Sequence, residues 1–144
     1  MFKDILVPID LNEESSWRKA VPVAVELARA HKRKLHLMTV VPSYGSSFVG
    51  SFFPADFEKK AVAETTSRLK ELTDEIVPDD VPVDRIVGRG TIYEEIVKAR
   101  QALGDDCDLI VMASHRPGLE DYLIGPNAAR VLRHSRVSVL VVRE

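Results

Sequence analysis

The stretch DLIVMASHRPGLEDYLIGPN, residues 108–127, decides the fold. It begins as an apolar strand, passes through a polar turn and closes on Gly125, Pro126 and Asn127, which open a helix. Proline suits the first helical position, because its missing N–H would have no partner there. Strand ends and helix N-termini are where open α/β proteins hold phosphate groups. Backbone N–H groups are unpaired there and the helix dipole favours anions. The stretch therefore points to a nucleotide.

Working outward, four more apolar runs alternate with helical patterns. They are ILVPI at 5–9, LHLMTVV at 35–41, VPVDRIV at 81–87 and VSVLVV at 137–142. Between the first two, Trp17, Val21, Ala24, Leu27, Ala28 and His31 share a helical face, with Pro22 expected to interrupt or kink that helix. Phe57, Ala61, Leu69, Leu72 and Ile76 mark a second helix. Ile92, Ile96, Ala99 and Leu103 mark a third, with Thr91 and Glu94 reading as a capping box before it. The fourth spans about 126–134. Alternating β and α units of this length form a parallel sheet with right-handed crossovers. In chain order, with 108–112 as the fourth run, the first and fourth are the most continuously apolar and belong in the centre. The third contains Pro82, which suits an edge. The order 3-2-1-4-5 satisfies both and puts the topological switch between strands 1 and 4. Open α/β sheets bind ligands at such a switch, beyond the carboxyl ends of their strands. The loops meeting there start at Pro8-Ile9-Asp10 and at Ala113-Ser114.

Composition sets the bounds. The chain has 144 residues, enough for one domain over 1–144 with a hydrophobic core. A 45% hydrophobic content with 29% charged residues is ordinary for a globular protein. A net charge of −2 gives no reason to expect nucleic acid or a membrane surface. The start, MFKDILV, runs straight into a strand, so no signal peptide and a cytoplasmic location are expected. No apolar run approaches the roughly 18–20 residues that span a bilayer. Cys107 reads as a small core residue, and the histidines show no metal-ligand spacing. His134 with Arg133 suits a helix C-terminus. Gly88-Arg-Gly90 lacks the Gly-Lys-Ser/Thr ending of a Walker loop and reads as a turn into the capped helix. The connection 42–56, PSYGSSFVGSFFPAD, is long enough to be either a lid or a passive linker.

Over its whole length the chain resembles the bacterial universal stress proteins, from ILVPID at 5–10 to VLVVR at 139–143. ASHRP at 113–117, YLIG at 122–125 and NAARVLRH at 127–134 resemble the short F/G-type branch. The resemblance implies a three-layer, Rossmann-like α/β sandwich of the adenine nucleotide alpha hydrolase kind, an adenine-nucleotide pocket and a homodimer. In nucleotide-binding members a motif of Gly, two residues, Gly, nine residues, Gly, then Ser or Thr wraps the phosphates. This chain departs from it. Ala113 and Arg116 stand at the first two glycine positions, eight residues separate Arg116 from Gly125, and Pro126 stands where Ser or Thr is expected. A shorter turn and a non-glycine second position fit the F/G-type branch, whereas Pro126 replaces its usual Ser.

Residue by residue, Pro8 and Ile9 are an apolar wall for adenine or plain strand-end packing. Asp10 is a ribose acceptor or a loop carboxylate capping the next helix. The backbone of Val40 is a candidate reader of the adenine edge. Met112 and Ala113 end the fourth strand, where a small residue lets a ligand approach the backbone. Ser114 offers a hydroxyl and an N–H, and His115 and Arg116 offer donors or charge to phosphates. Gly125 allows approach to the helix end, Pro126 removes an N–H, and Asn127 can supply one. Glu120 and Asp121 are expected to face solvent. ATP or another adenine nucleotide, with Mg2+ accompanying its phosphates, is the expected ligand.

The last strand is an apolar edge, which invites pairing. Val137, Val139, Leu140, Val141 and Val142 are the expected homodimer surface, closed across a two-fold axis. The leading reading is a nucleotide-binding stress-response regulator with an unidentified protein partner. No base sits beside a positioned nucleophile, so at most slow ATP hydrolysis or autophosphorylation is implied by the resemblance. The alternative is a nucleotide-free dimeric partner-binding protein, supported by Ala113, Arg116 and Pro126. An ATP-pyrophosphatase-type enzyme would need a Ser-Gly-Gly loop where this chain has DLNEES at 10–15.

Overall fold

A computed structural model of the protein describes residues 2–42, 56–114 and 125–143. Five parallel strands form one sheet: β1 (Asp4–Pro8), β2 (Leu35–Pro42), β3 (Val83–Gly90), β4 (Cys107–Ala113) and β5 (Ser138–Val142). Their order is β3-β2-β1-β4-β5, as the apolar runs predict. Among the described residues four α-helices cover it: α1 (Ala20–His31), α2 (Phe57–Ile76), α3 (Ile92–Leu103) and α4 (Gly125–His134).

The strand period of two divides the core between the faces. Ile5, Val7 and Ile9 of the first strand region join Leu35, Leu37, Leu109 and Val111 under α1 and α2. Leu6, Met38, Ile110 and Met112 face α3 and α4 instead. Each fully buried Leu or Ile here stabilises the fold by about 1.5–3 kcal/mol. The helices present the expected stripes: Ala20, Val21, Ala24, Val25 and Ala28 of α1, Leu69 of α2, Ile96 of α3, and Ala128 and Val131 of α4. The result is a three-layer sandwich.

Three local expectations are corrected. Pro22 does not interrupt α1, because the helix starts only at Ala20 and the proline falls in its first turn. Backbone bonds continue on either side of it, Val21 N–H to Trp17 O at 3.0 Å and Val23 N–H to Lys19 O at 3.3 Å. The capping box at α3 does not form. Thr91 occupies the N-cap without a side-chain hydrogen bond, and the Glu94 carboxylate accepts from the Tyr93 hydroxyl at 3.3 Å. Gly88-Arg-Gly90 is not a turn but the last segment of β3, in register with Val40, Val41 and Pro42. Only the ends of the 42–56 connection are described. Pro42 closes β2 and Asp56 precedes α2, while the lid-or-linker segment between lies outside the described residues.

Cys107 is buried at the start of β4, and burial pushes its thiol up from the ordinary value of 9.0. Its side chain shares a face with Ile110 and Met112 because the β1–β4 register shifts next to it, between Asp4 and Ile5. His134 ends α4 and stacks on Tyr93 with ring centroids 5.4 Å apart, while the Arg130 guanidinium lies 5.7 Å from the Tyr93 ring centre. This ties α4 to α3, so the structural reading of His134 holds.

Candidate functional site at the switch between strands 1 and 4

The carboxyl ends of β1, β2 and β4 meet at the expected switch. Parallel ladders alternate the direction of backbone groups along each strand. Lys34 and Met38 carbonyls accept from Ile5 and Ile9 of the first strand region, at 3.1 and 2.7 Å, whereas Leu35 N–H turns the other way and donates to Pro82 O at 2.9 Å. Even-numbered residues of β2 therefore face β1. Among the described residues, the Ile9–Met38 bond is the last rung between the two strands. Val40 comes next in the same phase. Its N–H and C=O point past the end of β1, into the space a ligand would use.

A small recess of about 10 Å³ lies there, lined by Pro8, Ile9, Met38, Thr39, Val40, Ile92 and Ile96. The recess brings together Pro8, Ile9 and Val40, three of the residues expected from the sequence. Met38, Thr39, Ile92 and Ile96 were not expected there, because periodicity marks the two isoleucines only as core. The edge position of β3 carries the start of α3 back over β2, which is how they reach the recess.

Asp10 follows at once and is buried, with 5% of its surface exposed. The alternative role as a cap of the next helix is not realised, since that helix (Glu14–Ser16) has Glu13 at its N-cap and no side-chain cap bond; Asp10 Oδ1 instead accepts the Asn12 N–H at 2.9 Å within its own loop. Oδ2 has no hydrogen-bond partner among the described residues. Around it, Ser16 Oγ accepts the Asp10 N–H at 2.8 Å. A buried carboxylate oxygen without a partner suits a ligand hydroxyl, since leaving such a group unmade costs about 1–3 kcal/mol or more.

On the other side of the switch, Met112 and Ala113 are buried at the end of β4. Lys32 is the only non-glycine residue with positive φ among the described residues, so Ala113 keeps an ordinary backbone and glycine is not required there. Ser114 offers less than expected: its N–H donates to Val142 O at 2.9 Å, which leaves the hydroxyl. Gly125 and Pro126 form the first turn of α4, and Asn127 behind them is buried. His115, Arg116, Glu120 and Asp121 lie outside the described residues. The described residues contain no group of three or more His, Cys, Asp or Glu able to hold a metal ion.

Comparison with known proteins fixes the family. Residues 1–143 match the model of the universal stress protein family. The chain belongs to the universal stress protein family. Universal stress protein G of Escherichia coli O157:H7 is 32% identical over 146 residues, covering 99% of this chain and all of the relative. That likeness agrees with the branch read from residues 113–134. Among solved structures, a universal stress protein from Lactobacillus plantarum superposes with a TM-score of 0.76 at 18% identity, covering 99% of this chain and 98% of the other. A universal stress protein family member from Arabidopsis thaliana, with AMP bound, superposes with a TM-score of 0.64 at 17% identity, covering 99% and 92%. At those identities the two structures speak for the fold. Among the described residues, no helix is long and apolar enough to cross a membrane.

Proposed function

We propose that this universal stress protein binds an adenine nucleotide where β1, β2 and β4 end, and acts in the cytoplasm as a homodimeric stress-response regulator. One observation carries the reading. Val40 turns a donor and an acceptor past the end of β1 over an apolar recess, and the buried Asp10 keeps one carboxylate oxygen uncommitted beside it. That set fits a flat base with a donor and acceptor edge, followed by a hydroxyl-bearing sugar. The phosphates would lie toward Ala113, Ser114 and the first turn of α4, where the helix dipole favours them. His115 and Arg116 are the proposed phosphate donors. Mg2+ would travel with the phosphates.

The AMP held by the Arabidopsis protein of this fold is consistent with such a ligand. The second reading, a dimer that binds partners without nucleotide, draws on Ala113, Arg116 and Pro126. Calorimetric titration of nucleotide-stripped protein with ATP plus magnesium, and with AMP, separates them. Micromolar binding that Asp10→Ala removes supports the first. Absence of binding at millimolar ATP supports the second.

A further inference from the structure

Asp10 is fastened by its neighbours on every side but one. Its N–H donates to Ser16 Oγ at 2.8 Å, and its carbonyl accepts the Glu13 N–H at 3.0 Å. The Ser16 hydroxyl lies 3.0 Å from Asp10 O and 2.7 Å from Glu13 O, so its own proton is also engaged within this loop. Ser16 and Asp10 are each only 5% exposed. The Asn12 N–H occupies Asp10 Oδ1, and Arg68 of α2 straps the loop from outside, 3.1 Å from Asn12 Oδ1 and 3.4 Å from Leu11 O. Of the Asp10 side chain, Oδ2 alone is left for a ligand.

We propose that Ser16 is a positioning residue that makes the site selective for a ribose over a deoxyribose, by holding Asp10 Oδ2 at one fixed point. This rests on the nucleotide reading given above and specifies the class of ligand it admits. A fixed anionic acceptor gains most from a hydroxyl that meets it at one distance and direction, because no rotamer freedom is lost on binding. An analogue lacking that hydroxyl leaves a buried oxygen unpaired, a loss of about ten- to a hundredfold in affinity. Without the Ser16 hydroxyl the loop loses the acceptor of the Asp10 N–H and the one proton that lies between Glu13 O and Asp10 O. The carboxylate then samples several directions, and the hydroxyl is worth less. A purely structural serine would act differently: its loss would lower stability and leave the preference as it was.

The test measures dissociation constants for ATP, 2′-deoxy-ATP and 3′-deoxy-ATP with the full chain, in wild type, Ser16→Ala and Arg68→Met. Wild type is expected to favour ATP over at least one deoxy analogue by about tenfold or more. Ser16→Ala is expected to bring the two within about twofold by weakening ATP and leaving the deoxy analogue unchanged. Arg68→Met, at an exposed strap, is expected to narrow the ratio part-way and serves if Ser16→Ala fails to fold. A preserved ratio in Ser16→Ala, or a parallel loss for all three ligands, overturns the positioning role. With Ser16→Ala unfolded, a preserved ratio in Arg68→Met does the same. Wild-type binding without preference overturns it while leaving the nucleotide reading intact, and no wild-type binding overturns both.

Discussion

Glu95 lies across Gly88: a Cβ on Gly88 would meet Glu95 Cβ at 3.2 Å and Met38 Cε at 3.0 Å. The first turn of α3 can sit this close to β3 only because residue 88 has no side chain. Met38 also lines the recess under Val40. Gly88→Ala must displace one of these neighbours, and the Met38 methyl, at the end of a flexible chain, gives way more easily than the helix. The expected result is a stability loss of about 1–3 kcal/mol and a narrowed recess. Thermal melting combined with ATP titration checks it. A variant that melts lower but binds ATP as well as wild type would separate Met38 from the ligand.

The same pair shows where sequence reasoning ran out. Gly88 and Gly90 look like a turn because glycine in series usually is one. Their real causes are the helix that crosses them, where Glu95 leaves no room for a Cβ, and at Gly90 a positive φ of 133°. Likewise Glu94 fits a capping box by spacing, but Tyr93 takes its carboxylate. The strand order was legible because it depends on bulk burial: ILVPI and DLIVM are apolar on both faces, and Pro82 is tolerable only beside an edge. Asp10 and Val40 were legible because their places follow from topology. Ile92 and Ile96 were not, since an apolar helix face reads the same whether it meets the core or a ligand.

At the opposite end of the sheet Asp4 gathers three donors. Arg33 Nε lies 3.1 Å away, the Lys34 N–H 3.3 Å and His36 Nε2 3.1 Å. Burial pulls the Asp4 carboxyl upward, but hydrogen bonds from His36 and Lys34 and the charge of Arg33 outweigh it and hold it below the ordinary 3.8. A carboxyl that is lowered in the folded state contributes stability above its unfolded value. That contribution is lost as pH falls below 3.8 and through the lowered folded value. Asp4→Asn should cost about 1–3 kcal/mol near neutral pH. The gap between wild type and variant should close as pH drops through this window. Denaturant melts at pH 7, 5, 4 and 3 report it, and a gap that stays constant with pH would refute the linkage.

Lys32 ends α1 in the left-handed region, at φ 53° and ψ 49°, where glycine is the usual choice. Its N–H meets Arg29 O at 3.3 Å, and the following Arg33 N–H meets Ala28 O at 2.9 Å, closing the helix end. The left-handed cost of about 1–2 kcal/mol is partly offset by the favourable charge at the helix C-terminus. Lys32→Gly should therefore raise stability by about 0.5–1 kcal/mol, on the order of 1–4 °C in Tm. Lys32→Ala keeps the strain and loses the charge, so it should melt at or below wild type. Equal melting of the two variants would contradict the argument.

Leu140 is 39% exposed on β5, the edge next to β4. An apolar side chain on an unpaired edge favours a second copy, with Val137, Val139, Val141 and Val142 alongside. Leu140→Asp places a charge at the centre of that surface. It should disrupt the proposed dimer and leave a monomer at micromolar concentration, as read by light scattering after size exclusion. A wild-type monomer at that concentration would remove β5 as the interface.

Pro126 stands in the first turn of α4, where the family motif carries Ser or Thr. Proline contributes neither an N–H nor a hydroxyl to an anion at that helix end. One hydrogen bond to a charged group is worth about 1.5–3 kcal/mol. Pro126→Ser should therefore tighten ATP binding by about ten- to a hundredfold. The gain should be confined to ligands bearing phosphate, because the proposed base and sugar contacts at Val40 and Asp10 are untouched. Adenosine, measured beside ATP in the same titration series, should bind both proteins equally. Equal tightening for adenosine would place the effect in helix stability, and unchanged ATP affinity would acquit Pro126 of weakening the site.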